Sequence, residues 1–133
     1  VKIVFLCVAN SARSQMAEGL ARALVPPSIE VLSAGSQPTQ VNPHAIQAMR
    51  EIGIDISGHV SKSIDQLDLS DVDFVITLCA DEVCPAFIGS AQKLHWPFPD
   101  PASQGSSDLE RLQAFRTVRD QIKEQLIRWN SNK

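Results

Sequence analysis

Residues 1–14, Val1-Lys2-Ile3-Val4-Phe5-Leu6-Cys7-Val8-Ala9-Asn10-Ser11-Ala12-Arg13-Ser14, contain a change of period that decides the fold. Val1 to Leu6 is a strand-length apolar run rich in β-formers. Beyond it, Met16, Ala17, Leu20, Ala21 and Leu24 recur on one helical face until Pro26-Pro27 stops the helix. Cys7 stands where strand gives way to helix, with five residues between it and Arg13. That spacing lets the backbone wrap once around an oxyanion, so that N–H groups and a guanidinium fork reach its oxygens together. A thiol at a helix N-terminus inside such a ring is expected to act as a thiolate, attacking phosphorus or an atom in a phosphate-shaped group. Ser14 is placed to hydrogen-bond the sulfur or to cap the helix. The same spacing also suits a buried structural cysteine beside a surface arginine; the strand before and the helix after favour the anion site.

Further along, strand and helix patterns alternate. Ile29 to Ser33 reads as a second strand, ending at Ala34-Gly35. Asn42-Pro43 predicts an N-cap and an N1 proline for a helix carrying Ala45, Ile46 and Met49, closed by Gly53. Asp73 to Leu78 predicts a third strand and Lys93 to Trp96 a short fourth. Ser107 and Glu110 have capping-box spacing ahead of the stripe Leu109, Leu112, Phe115, Val118, Ile122, Leu126 and Trp129. The order predicts an α/β fold: an open parallel four-stranded sheet with helices on both faces. Ligands of such sheets bind beyond the carboxyl ends of the strands. Cys7, Cys79 and Asp100 each follow a predicted strand, so one crevice can collect all three.

At 133 residues and a net charge of −3, without a basic stripe, the chain suits one domain and not a nucleic-acid or anionic-membrane partner. Its longest apolar runs are strand length and the sequence opens on a strand with no signal-peptide pattern, so a soluble cytoplasmic protein is expected. Three cysteines are an odd count, which suits reactive thiols in a reducing compartment better than a secreted disulfide framework.

Asp100 lies within Trp96-Pro97-Phe98-Pro99-Asp100-Pro101, where proline restricts the backbone enough to hold a loop carboxylate in place. Alone it reads more readily as a surface Asp-Pro turn; its place after a strand, beside a thiolate site, makes it a candidate general acid for the departing oxygen. Cys79 and Cys84 enclose Ala80-Asp81-Glu82-Val83 and admit three readings. Zinc would need further ligands, and Cys7, His44, His59 and His95 lack the spacing, so no metal and no cofactor are expected. Two inert buried thiols are the second, and a disulfide relay to Cys7 the third. His44 and His59 read as surface positions and His95 as a packed or loop residue.

Taken together, Cys7 to Gly19, Ser33-Ala34-Gly35, Val41-Asn42-Pro43, Gly53-Ile54-Asp55-Ile56-Ser57, Thr77-Leu78-Cys79, Cys84-Pro85 and Asp100-Pro101-Ala102 resemble the thioredoxin-coupled arsenate reductases, which share the fold of low-molecular-weight tyrosine phosphatases. The resemblance spans nearly the whole chain and implies one such domain over residues 1–133. It implies that Val8, Ala9, Asn10, Ser11, Ala12, Arg13 and Ser14 hold arsenate, with phosphate or sulfate as substitute loop ligands. By the same resemblance Cys7 attacks arsenate, Asp100 protonates the departing oxygen, Cys79 displaces arsenite, and Cys84 carries the disulfide to a thioredoxin-like donor. A phosphatase, or an oxyanion-binding regulator without turnover, is the alternative; phosphatases usually carry tyrosines after Asp-Pro, where this chain has Ala102-Ser103 and no tyrosine anywhere. Three departures stand out. Ala12 replaces a cysteine common in relatives, and the gap between Cys79 and Cys84 is shorter than usual. Lys62 stands where some relatives have an aspartate that, with positions matching Asn10, Glu18 and Ser33, binds potassium. The Lys62 ammonium is expected to take the cation's place and pair with Glu18, with a solvated surface lysine as the alternative reading.

Overall fold

The computed structural model describes residues 1–79 and 90–131. Strands β1 (Lys2–Cys7), β2 (Glu30–Gly35), β3 (Phe74–Thr77) and β4 (Gln92–His95) form one sheet in the order β2-β1-β3-β4. Every pairing is parallel, with Leu6 opposite Ala34 on one side and Thr77 on the other. The first strand is therefore central, and it is buried from Ile3 through Cys7, as its unbroken apolar run requires. Strand bounds shift from the expected ones by one or two residues. The main extension is at β2, which continues through Ala34 and Gly35 because these pair with Leu6 and Cys7 of β1; Gly35 N–H donates on its other side to Lys62 O at 2.9 Å.

The period of two sorts the strand side chains. Ile3 and Phe5 of β1, Val31 of β2 and Ile76 of β3 join the core shared with helices α1 (Arg13–Leu24), α2 (Pro43–Arg50) and α3 (Asp108–Ser131). Val4, Leu6, Ala34 and Val75 face the other way. That second face is covered more thinly, by Val72 and by Ile64 and Leu67 at the 3-10 helix Ile64–Gln66. Both faces carry helix, but among the described residues the three α-helices share a single layer. Leu20, Met16 and Phe115 are each at most 1% exposed there, and burial of side chains of this size stabilises by about 1.5–3 kcal/mol apiece.

Local signals place the helices. Asn42 Oδ1 accepts from His44 N–H at 2.8 Å, capping α2 with Pro43 at N1. Gly53 ends that turn at a φ of 81° that side chains avoid. Ser107 Oγ accepts from Glu110 N–H at 3.2 Å, but the Glu110 carboxylate takes the Ser106 and Ser107 hydroxyls, so only half of the expected capping box forms. Trp129 stacks edge-on against Trp96, centroids 5.7 Å apart, fixing the base of the segment that leads to Asp100.

Candidate functional site

β1 is followed by a loop whose carbonyls all find donors outside it. Val8 O accepts from Gln37 N–H at 2.9 Å, Ala9 O from Thr39 N–H at 3.1 Å, Ser11 O from Asn42 N–H at 3.0 Å and Ala12 O from Met16 N–H at 2.9 Å. Asn10 O takes the Ser61 hydroxyl at 2.7 Å and Gln15 Nε2 at 3.2 Å. Among the described residues, the N–H groups of Ala9, Asn10, Ser11, Ala12 and Ser14 have no acceptor. A loop with its acceptors spent outward and its donors unspent is a concave anion receptor at a helix N-terminus.

Asn10 makes the curvature. It lies in the left-handed region at φ 49°, where asparagine is tolerated better than most residues, and it is fully buried. Its Nδ2 donates to Ser14 Oγ at 2.8 Å and to Ser33 Oγ at 3.0 Å, and its Oδ1 accepts from Gln15 Nε2 at 3.0 Å and Lys62 N–H at 2.9 Å. Ser14 Oγ stands 2.8 Å from Cys7 Sγ. Because Ser14 already accepts from Asn10, its own hydrogen is available to the sulfur, as an acceptor thiolate needs. The helix cap role is not taken up: Ala12 is the N-cap and no side chain caps α1. Gly35 sits beneath the loop, where an added Cβ would overlap Val8 O and stand 2.9 Å from Asn10 N and 3.0 Å from Cys7 O.

Arg13, 4% exposed, is held by Phe98 O at 3.0 Å and Leu78 O at 3.4 Å. These carbonyls belong to the segments after β4 and β3, so the guanidinium ties three strand ends together. Asp100 arrives on the same cavity. Its Oδ1 accepts from Ala102 N–H at 3.0 Å, capping the short 3-10 helix Pro101–Ser103. The resulting cavity holds about 120 Å³ and is lined by Cys7, Ala9, Ser11, Ala12, Arg13, Thr39, Asp100 and Ala102. Typical organic-ligand pockets run to roughly 300–1,000 Å³, so this one suits an inorganic oxyanion.

Of the expected cysteines, Cys7 is free and buried, and Cys79, 1% exposed just past β3, is disulfide-bonded. Cys84 and the segment 80–83 lie outside the described residues. Among the described residues no group of three His, Cys, Asp or Glu side chains is arranged to hold a metal ion.

Lys62 and Glu18 do meet. Glu18, 3% exposed, accepts from Ser33 Oγ at 2.6 Å and from Arg22 Nε at 3.2 Å, with Lys62 Nζ at 3.7 Å. His59 departs from its expected surface place: it is half-buried, its Nδ1 lies 3.0 Å from Gln15 Oε1 and 3.6 Å from Glu18, and burial holds its pKa below the ordinary value against the pull of Glu18. Gln15, Ser61 and the strap 37–42 were missing from the sequence-based site. The strap works through backbone N–H groups, Gln15 through its amide and Ser61 through its hydroxyl, and nothing in their residue types announces it. Gly35, the last residue of β2, was the one readable signal.

A sequence profile of the family described as low molecular weight phosphotyrosine protein phosphatase matches residues 2–132. The arsenate reductase of Halalkalibacterium halodurans is 48% identical over 122 residues, covering 90% of this chain and 88% of that protein. A solved structure of an arsenate reductase in the phosphate binding state has a TM-score of 0.77 at 36% identity, covering 98% of this chain and 97% of that one. A thioredoxin-dependent arsenate reductase from Corynebacterium glutamicum matches with a TM-score of 0.68 at 28% identity, over 99% of this chain and 63% of the other.

Proposed function

The chain belongs to the low molecular weight phosphotyrosine protein phosphatase family, and from that premise we propose that it reduces arsenate to arsenite with electrons from a thioredoxin-type thiol donor. The observation that carries this reading over a phosphatase is the pairing of a free Cys7 in an oxyanion-sized cavity with a disulfide on Cys79 at the end of the neighbouring strand.

Arsenate enters with its oxygens on the N–H groups of the loop and on Arg13. The Cys7 thiolate attacks arsenic; an S–As bond forms, an As–O bond breaks, and Asp100 gives its proton so that the departing hydroxyl leaves as water. Cys79 then attacks the Cys7 sulfur. An S–S bond forms while the S–As electron pair passes to arsenic, which leaves as arsenite two electrons richer. Cys84 attacks Cys79, releasing Cys7 as a thiol, and the donor reduces the Cys79–Cys84 disulfide. Nothing in this sequence calls for a metal or an organic cofactor, since the protein's sulfurs carry the electrons. The Lys62 ammonium beside Glu18 supplies a fixed positive charge under the loop, so potassium is expected to leave the rate unchanged. Among the described residues no helix is long and apolar enough to cross a membrane, which fits a cytoplasmic enzyme.

Arsenate-dependent oxidation of thioredoxin, run beside hydrolysis of an aryl phosphate, tests the reading. Turnover in the first assay is expected. Hydrolysis alone would make the protein a phosphatase, and silence in both an oxyanion binder. For the relay, Cys84→Ser is expected to release one arsenite per enzyme and stop with Cys7 joined to Cys79, read by mass spectrometry of non-reduced peptides. Full coupled turnover by that variant would remove Cys84 from the path.

A further inference from the structure

Thr39 lines the same cavity as Cys7, Arg13 and Asp100, yet none of the roles above uses it. It reaches that place by a backbone device: Pro38 precedes it, and its N–H donates to Ala9 O at 3.1 Å, pinning residue 39 against the anion loop itself. The side chain is then left over. Thr39 is exposed, and among the described residues its hydroxyl makes no hydrogen bond, although the residue lines the same cavity as Asp100 and Ala102.

An oxyanion seated on the loop amides and Arg13 directs one oxygen outward, away from Cys7, toward Asp100. In arsenate that oxygen carries a hydrogen, and after protonation by Asp100 it leaves with two. One hydrogen comes from Asp100 and can point back to it; the other needs an acceptor. Two residues lining the cavity carry a hydroxyl, Ser11 and Thr39; Ser11 belongs to the loop that seats the oxyanion, which leaves Thr39 Oγ1, and Ala102, lining the same cavity, offers a methyl group. Resting on the arsenate reductase reading, we propose that Thr39 is a specificity residue that contacts the substrate and accepts from the departing hydroxyl as it becomes water. An ester's leaving oxygen has carbon in place of that hydrogen and cannot make the same bond, so Thr39 favours the free oxyanion over its esters.

Three proteins test this: the full chain, Thr39→Val, which keeps the shape and deletes the hydroxyl, and Thr39→Ser, which restores it. Arsenate kcat/KM is expected to fall about three- to tenfold in the valine variant, the range for one neutral hydrogen bond, and to return within twofold in the serine variant. The pH profile of Cys7 alkylation by iodoacetamide, measured without oxyanion, is expected to coincide in all three, because Thr39 does not touch the sulfur or its donors. An unchanged kcat/KM in the valine variant overturns the proposal. So does a shifted alkylation profile, which would make Thr39 a prop for the loop, and so does a serine variant as slow as the valine one. Absence of arsenate turnover in the unsubstituted chain is a separate result, and sinks the reductase reading together with what rests on it.

Discussion

The loop after β1 and the loop after β4 close over the same cavity and are held by opposite means. In the first, residues 8–12 each give their carbonyl to a donor from another segment, and one buried asparagine bends the chain into the left-handed region. The second has few such bonds. Pro97, Pro99 and Pro101 restrict its backbone, Asp100 caps its own following turn, and Phe98 O is fastened by Arg13. A receptor for a fixed tetrahedral charge gains from donors that cannot relax. A group that must give a proton and regain it from solvent gains from a stiff but half-buried loop. On the roles proposed for them, the two solutions differ because binding and proton transfer ask different things of a backbone.

Asp100→Asn tests that division most severely. It is expected to lower the rate of arsenic adduct formation by about 10²–10⁴, while phosphate still protects Cys7 from iodoacetamide at the same concentration. Loss of protection would show that the second loop binds as well as acts. Gly35→Ala is expected to do the reverse. Its Cβ must displace Val8 and Asn10, so stability falls by about 1–3 kcal/mol in denaturant titration and phosphate protection weakens with it. At Asn10, alanine and glycine separate the side chain from the bend. Both lose the bonds to Ser14 and Ser33, but only alanine is strained at φ 49°, so Asn10→Ala should be less stable than Asn10→Gly by about 1 kcal/mol.

The smallest effect is expected away from both loops, where Arg116 hydrogen-bonds Glu51 across α2 and α3 at 2.6 Å and, with Arg119, holds its carboxyl below the usual range. The native state there binds fewer protons than the unfolded chain. The stabilisation is therefore present above the ordinary glutamate pKa of about 4.3 and lost as pH falls through the lower folded value. Thermal midpoints from about pH 6 down to pH 3 should fall less steeply in Glu51→Gln than in the parent chain.

Which parts of this were legible depended on whether the information lay in side chains. The strand-to-helix change at Cys7, the helical stripe of α3 from Leu112 onward and the proline-flanked Asp100 were readable because period and residue type are local properties; Leu109, read into the same stripe, is exposed. The thin second face of the sheet was not, since strand alternation says that a face is covered but not by what. His59 looked like a surface residue because its neighbours in sequence are polar. Its partners, Gln15 and Glu18, lie on α1, far away along the chain. The strap 37–42 was least legible of all, because it serves the loop through amide hydrogens that every residue except proline possesses.

In the proposed mechanism the loop after β1 reads shape and charge through backbone donors, and phosphate presents the same shape and charge as arsenate. Inside a cell the two must compete for the same seat, with phosphate as the abundant rival. Discrimination then falls after binding, at the step where the bond to sulfur surrenders its electron pair, which arsenic accepts and phosphorus does not. The rate of detoxification would follow the ratio of the two oxyanions in solution, so a cell short of phosphate would clear arsenate faster with the same amount of enzyme.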